Sequence, residues 1–167
     1  MMPELPLDIA PLRDSDLPAV EKLDERAFGP GRFTRSAYRL REGVPPDFSL
    51  SSVARVGTFL VGANRITHIR AGGAPALLLG PLTVDPAFRG RGIGGALLEK
   101  SIEAARAAGH RLIMLVGDQP FYARFGFKRV PGGRLTMPGP VDPSRLLYLE
   151  LAEGAFEGLS GAITRFA

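Results

Sequence analysis

Val84-Asp85-Pro86-Ala87-Phe88-Arg89-Gly90-Arg91-Gly92-Ile93-Gly94-Gly95 joins a buried-type strand to the clearest helix of the chain. The strand is Ala76 to Val84, nearly all apolar, with Gly80-Pro81 inside it. Proline has no amide hydrogen for a sheet ladder, so a bulge or a parting of strands is expected there. The helix is Gly92 to Ala108. Ile93, Leu97, Leu98, Ile102 and Ala105 recur on one face, and Glu99, Lys100, Glu103 and Arg106 lie on the other. Gly109 is the expected C-cap. Arg111 to Val116 is a second buried strand, which completes one β-α-β crossover.

The turn itself suits an anion. The first amides of a helix have no partner within it, and the helix dipole favours negative charge at that end. Glycines at 90, 92, 94 and 95 keep side chains away from the backbone, while Arg89 and Arg91 add positive charge. A glycine-rich loop that merely turns a corner is the plainer alternative. Its place between a buried strand and an amphipathic helix favours anion binding. A P-loop is excluded, because no Gly-Lys-Ser/Thr ends the turn. The dinucleotide pattern G-x-G-x-x-G is present as Gly90, Gly92 and Gly95, with Asp118 near the end of the next strand. Against that reading, the turn is long, and little chain follows Asp118 for further β-α-β units.

Upstream, Leu7 to Arg13 alternates as a strand would. Asp14 or Ser15 is placed to cap a helix from Leu17 to Phe28, which Gly29-Pro30-Gly31 ends. A short helix is expected from Thr34 or Ser36 to Arg41, stopped by Pro45-Pro46. Ser49 to Arg55 and Thr58 to Arg70 read as strands about a Val56-Gly57 turn, and Gly72-Gly73 closes the second. Downstream, Phe121 to Phe125 suits one helical turn. Phe127 to Val130 and Leu146 to Leu151 suit strands. The tail keeps Phe156, Leu159, Ile163 and Phe166, which either finish the core or form a homodimer contact. The expected fold is α/β (α+β): a mixed, mostly antiparallel central sheet of about seven strands flanked by helices.

The 167 residues, 45% hydrophobic and 23% charged, suit one soluble domain spanning residues 1–167. There are no cysteines, which excludes disulfides, thiolate metal sites and a cysteine nucleophile. Glu4 and Asp8 interrupt any secretory pattern, and no apolar run is long enough for a bilayer, so a cytoplasmic protein without membrane contact is expected. The net charge is +4, yet there is no basic run of five or more and no aromatic-rich RNA-binding signature. Nucleic acid is therefore not an expected partner.

Two motifs together resemble the GNAT N-acetyltransferase superfamily. Its cofactor pattern Gln/Arg-x-x-Gly-x-Gly/Ala is matched by Arg89, Gly92 and Gly94, after Leu82-Thr83-Val84-Asp85-Pro86. Its aromatic element Tyr-x-x-x-Gly-Phe is matched by Tyr122, Gly126 and Phe127. The phrase Gly117-Asp118-Gln119-Pro120-Phe121-Tyr122 is similar to the YhbS-like subgroup. The core likeness covers about Leu77 to Val130.

The resemblance implies acetyl-CoA as cosubstrate and transfer of its acetyl group to a primary amine by direct attack in a ternary complex. Leu82, Thr83 and Val84 would present backbone groups to the pantetheine arm and the acetyl carbonyl. The amides of Arg89, Gly90, Arg91, Gly92, Ile93, Gly94 and Gly95 would hold the pyrophosphate. Tyr122 would protonate the departing thiolate; a packing aromatic among Phe121, Phe125 and Phe127 is the plainer alternative. The general base stays open among His68, Glu25 and a water. Asp24 lies beside Glu25, and His110 is expected to face solvent. The acceptor, a small-molecule or peptide amine, would lie against Leu17 to Phe48. That stretch has an acidic excess and includes Phe28, Phe33 and Phe48. No His, Asp or Glu spacing argues for a metal, and none is expected. A non-catalytic acyl-CoA-binding module shares the turn but does not need Tyr122.

Overall fold

A computed structural model describes residues 6–29 and 36–166. The elements are β1 (Leu7–Pro11), α1 (Leu17–Phe28), α2 (Ser36–Arg41), β2 (Ser52–Val56), β3 (Phe59–Ala71), β4 (Ala74–Val84), α3 (Ile93–Ala107), β5 (Leu112–Val116), α4 (Gln119–Ala123), β6 (Lys128–Arg129), β7 (Leu135–Thr136), β8 (Leu146–Glu150) and β9 (Gly161–Arg165). Pro30, Gly31, Phe33 and Thr34, which carried expectations above, lie outside the described residues.

The sheet runs β1-β2-β3-β4-β5-β8-β6, with β9 paired to β3 and to β7. Along that seven-strand path only β4 and β5 are parallel. The mostly antiparallel mixed sheet is as expected. The tail is more than packed: β9 pairs with the end of β3 through Ile69↔Arg165 and Ala71↔Ile163. Phe156 and Ile163 are buried with Leu40, Leu78 and Met114, so they complete this chain's own core. The dinucleotide alternative fails here. After the single parallel step β4-α3-β5, the sheet continues with antiparallel β8, not with the further parallel units that fold requires.

α3 lies on one face of the sheet. It buries Ile93, Leu97, Leu98, Ser101, Ile102 and Ala105, the face its apolar spacing dictates. It approaches closely: a Cβ on Gly62 of β3 would stand 2.9 Å from Leu97 Cδ1. α1 packs on the opposite face, where Leu23 meets Leu12, Val53 and Ala63. Among the described residues no helix is long and apolar enough to cross a membrane.

Several local readings need correction. The C-cap of α3 is Ala108. Gly109 follows it at φ 84°, and the His110 amide returns to the Ala105 carbonyl at 3.0 Å. Neither Asp14 nor Ser15 caps α1. Both fall in a 3₁₀ turn, Asp14–Asp16, whose Asp16 carboxylate accepts the Arg13 amide at 2.9 Å and pairs with Arg55. The β2–β3 turn is Gly57-Thr58, one residue later than read.

The strand parting falls at Gly80-Pro81. β4 and β5 pair only through Leu77↔Ile113 and Leu78↔Met114. On its other side β4 keeps β3, but the register shifts between Asn64 and Ile66, opposite Gly80-Pro81. Pro81 offers no donor, and Gly80 adopts φ 119°, a conformation open to glycine. Beyond this point β4 and β5 diverge, and a cleft opens between them.

Candidate active site

The cleft encloses about 1690 Å³. One wall is Leu79 to Val84 of β4. Its floor at one end is the turn Phe88–Gly90 and the first turn of α3. The other wall is Val116 to Asp118 with α4, and the far rim carries Phe28, Arg41, Asp142 and Arg145. That volume exceeds the usual range for a small-ligand pocket, and suits a long ligand together with a second, smaller one.

The turn is built by its own side chains. The Asp85 amide bonds the Val61 carbonyl at 2.8 Å, which ties the end of β4 to β3. The Asp85 carboxylate accepts the Ala87 amide at 3.0 Å and caps the 3₁₀ turn Pro86–Phe88. Gly90 and Gly92 then take φ 79° and 77°. Gly92 is the N-cap of α3 and has no side chain to close it, and the first helical bond is Ala96 N–H to Gly92 carbonyl at 3.1 Å. The amides of Ile93, Gly94 and Gly95 therefore precede the helical ladder and open on the cleft. A Cβ at Gly90 or Gly92 would meet nothing within 4 Å, so the space above the backbone there is clear.

Of the ten positions expected to hold the cosubstrate, nine line the cleft: Leu82, Thr83, Val84, Arg89, Gly90, Gly92, Ile93, Gly94 and Gly95. Arg91 does not. Its guanidinium lies 5.2 Å from the Phe88 ring centroid. Thr83 has a further role. Its side chain is buried and its hydroxyl donates to Asp24 Oδ1 at 2.6 Å, fixing α1 against β4.

Tyr122 lines the opposite wall. Pro120 sits in the first turn of α4 and Gly126, at φ 94°, lets the chain turn away after it. The ring packs edge-on against Phe121 at 5.0 Å and Phe127 at 5.7 Å. It also presses on Gly117, where a Cβ would stand 2.5 Å from Tyr122 Cε2. Burial pushes the phenol up to about 12, with Arg145 opposing and Asp118 reinforcing the shift. Among the described residues its hydroxyl makes no hydrogen bond. Tyr122 packs as expected of a core aromatic, and it also lines the cleft.

The base candidates lie elsewhere. Glu25 does not line the cleft. His68 pairs across strands with Leu77 and lies beside His110, which follows the C-terminal end of α3. That is the far end of a helix about 22 Å long. His110 is half-buried rather than solvent-facing, its ring edge-on to His68 at 5.4 Å. Burial, and then the neighbouring His68, hold its imidazole below the ordinary value. Asp47 joins the pair, and donor atoms of Asp47, His68 and His110 all lie within 4.8 Å of one another. Sequence spacing offered no sign of this cluster. Sequence reasoning also missed Arg41, Asp142 and Arg145, since helix and loop segments about a hundred residues apart meet only through the fold.

Residues 51–129 match the family model of the acetyltransferase (GNAT) domain. The chain is 30% identical over 132 residues to the uncharacterized N-acetyltransferase YjhQ of Escherichia coli K12, covering 76% of this chain and 73% of that protein. It is 25% identical over 150 residues to the uncharacterized N-acetyltransferase YhbS of the same organism, covering 89% of each. In structure it superposes on Escherichia coli YhbS in complex with CoA with a TM-score of 0.82 at 24% identity, over 99% of this chain and 92% of that one. A Brucella melitensis GNAT acetyltransferase in complex with acetyl-CoA follows at TM-score 0.61 and 28% identity, over 87% and 97%. With a parted β4/β5 cleft, an open glycine N-cap and relatives of this extent, the chain belongs to the GNAT family of N-acetyltransferases.

Proposed function

We propose that the protein transfers an acetyl group from acetyl-CoA to a primary amine, by direct attack with both substrates in the cleft. The observation that carries this reading is the N-terminus of α3. Uncapped amides, two left-handed glycines and Arg89 face the same cleft as the second half of β4. The site fits the cosubstrate: the backbone there has the clear space that a diphosphate needs, and the parted strand has a length of backbone for an extended amide-bearing arm.

In this reading the amides of Arg89 to Gly95, other than that of Arg91, hold the pyrophosphate. The chain from Leu82 to Val84 pairs with the arm and directs an amide at the thioester oxygen as charge develops there. The amine nitrogen bonds to the carbonyl carbon, the carbon–sulfur bond breaks, and Tyr122 gives its proton to the sulfur. A phenol held near 12 is protonated at any working pH, as an acid must be. The attacking ammonium loses its proton to a cleft water, because neither His68 nor Glu25 lines the cleft. The amine, of a small molecule or a peptide, enters from the α1–α2 side, where Phe28 and Arg41 form the rim.

The test is release of free thiol from acetyl-CoA in the presence of a panel of amines. Turnover with at least one amine, lost in Gly92→Glu, is expected. Saturable acetyl-CoA binding with no thiol release from any amine would leave a binding module instead.

A further inference from the structure

The geometry points to a divalent transition-metal site formed by Asp47, His68 and His110, outside the cleft. The three residues come from three places in the chain: the segment before β2, the second half of β3, and the connection from α3 to β5. They are 21 and 42 residues apart in sequence, yet their donor atoms lie within 4.8 Å of one another. Zinc–ligand bonds of about 2.0–2.2 Å in a tetrahedron set donors roughly 3.3 Å apart. His68 Nε2 and Asp47 Oδ2 are at 2.7 Å, bridged by a proton, so they need to open slightly while His110 closes. All three side chains are half-buried.

The backbones beneath them are already fixed. The Asp47 amide bonds the Ile66 carbonyl at 2.8 Å, and the Asp47 carbonyl accepts the amides of Leu50 and Ser51 at 3.2 and 2.9 Å. Its Oδ1 accepts both the amide and the hydroxyl of Ser49, at 3.0 and 2.6 Å. That leaves Oδ2 aimed at His68, the arrangement in which a ligating carboxylate is itself oriented by hydrogen bonds. His68 is held in the β3–β4 ladder, and the His110 amide is tied to the Ala105 carbonyl at the close of α3. The Phe166 ring, 6.0 Å from His68, covers one side.

Two imidazoles and one carboxylate select zinc or a neighbouring borderline ion over calcium or magnesium, which take all-oxygen sets. On binding, the ion takes the place of the proton shared by His68 and Asp47, and that proton passes to solvent. Three protein ligands leave a fourth position for water. The ion would tie the C-terminal end of α3 to β3 and to the segment before β2. Its effect is on the stability of the fold and not on the cleft, which lies at the other end of α3.

The experiment uses full-length protein free of any histidine tag, stripped with chelator and titrated with zinc chloride alone in a calorimeter. One equivalent should bind. The Tm should rise by about 5–10 °C once zinc stands about 100-fold above its Kd. His110→Gln and His68→Gln should each weaken binding by at least about 100-fold, since loss of an outer-shell partner alone costs about 10- to 100-fold. His110→Gln keeps the His68–Asp47 bond, so its metal-free Tm should match the parent. Cobalt(II) should give the intense visible absorption of a low-coordinate site, and His110→Gln should abolish it. Absence of one-to-one binding at millimolar zinc would overturn the proposal, as would zinc affinity equal to the parent's in His110→Gln and His68→Gln.

Discussion

At Gly117 and Tyr122, a missing methyl group decides where an aromatic ring can stand. A Cβ at Gly117 would lie 2.5 Å from the Tyr122 ring. Gly117→Ala should therefore displace the ring, destabilise the fold by about 1–3 kcal/mol and lower kcat. Tyr122→Phe keeps the packing and removes only the hydroxyl. Its Tm should change little, while kcat falls by roughly 10²- to 10⁴-fold. Turnover unchanged in Tyr122→Phe would remove the tyrosine from the acid role. The phenol titrates near 10 when unfolded and about 12 when folded, so the folded state keeps its proton longer. Its stabilising contribution is complete below about pH 10 and is lost as pH rises toward 12, and Tyr122→Phe should flatten this part of a Tm-against-pH curve. Arg91 was expected at the pyrophosphate from sequence. Its charge beside Gly90 and Gly92 suited the phosphate, but the Phe88 ring three residues earlier takes its guanidinium instead.

Among the elements, α3 carries most of the architecture, because its start lines the cleft and its apolar face holds the sheet. Leu98 is fully buried among Ile66, Ile113 and Leu115. Leu98→Ala should cost about 2–5 kcal/mol in denaturant unfolding, with acetyl-CoA affinity reduced only as far as the helix start shifts. A loss below 1 kcal/mol would mean that α3 is not packed as described. α1 and α3 were legible because both are amphipathic over three turns or more and end at a glycine. The parting of β4 from β5 was legible at Gly80-Pro81, since a missing amide hydrogen is a local property. β9 was not, because Gly161–Arg165 buries only Ile163 and gains its ladder from β3, some ninety residues earlier. The two-residue strands β6 and β7 are likewise set by their partners, with too little sequence of their own to show a period.

For the molecule as a whole, the cleft follows from sheet topology. β3 holds β4 along its length, β8 holds β5, and among the described residues no β4–β5 ladder pair follows Leu78. Long-range contacts of this kind leave no local trace. Hence the β4–α3 side of the cleft, one continuous stretch, was readable in advance as a lining, and the rim of Phe28, Arg41, Asp142 and Arg145 was read only in part. The same holds for Asp47, His68 and His110, which meet through the sheet alone. Calorimetric titration with acetyl-CoA, comparing the parent chain with Gly92→Glu, probes the helix start most directly. A carboxylate about 4 Å from a phosphate at an effective dielectric of about 20 costs about 4 kcal/mol, or roughly a thousandfold in Kd. The parent should bind one equivalent and Gly92→Glu should lose that binding while remaining folded. Equal affinity in the two would place the diphosphate somewhere other than the start of α3.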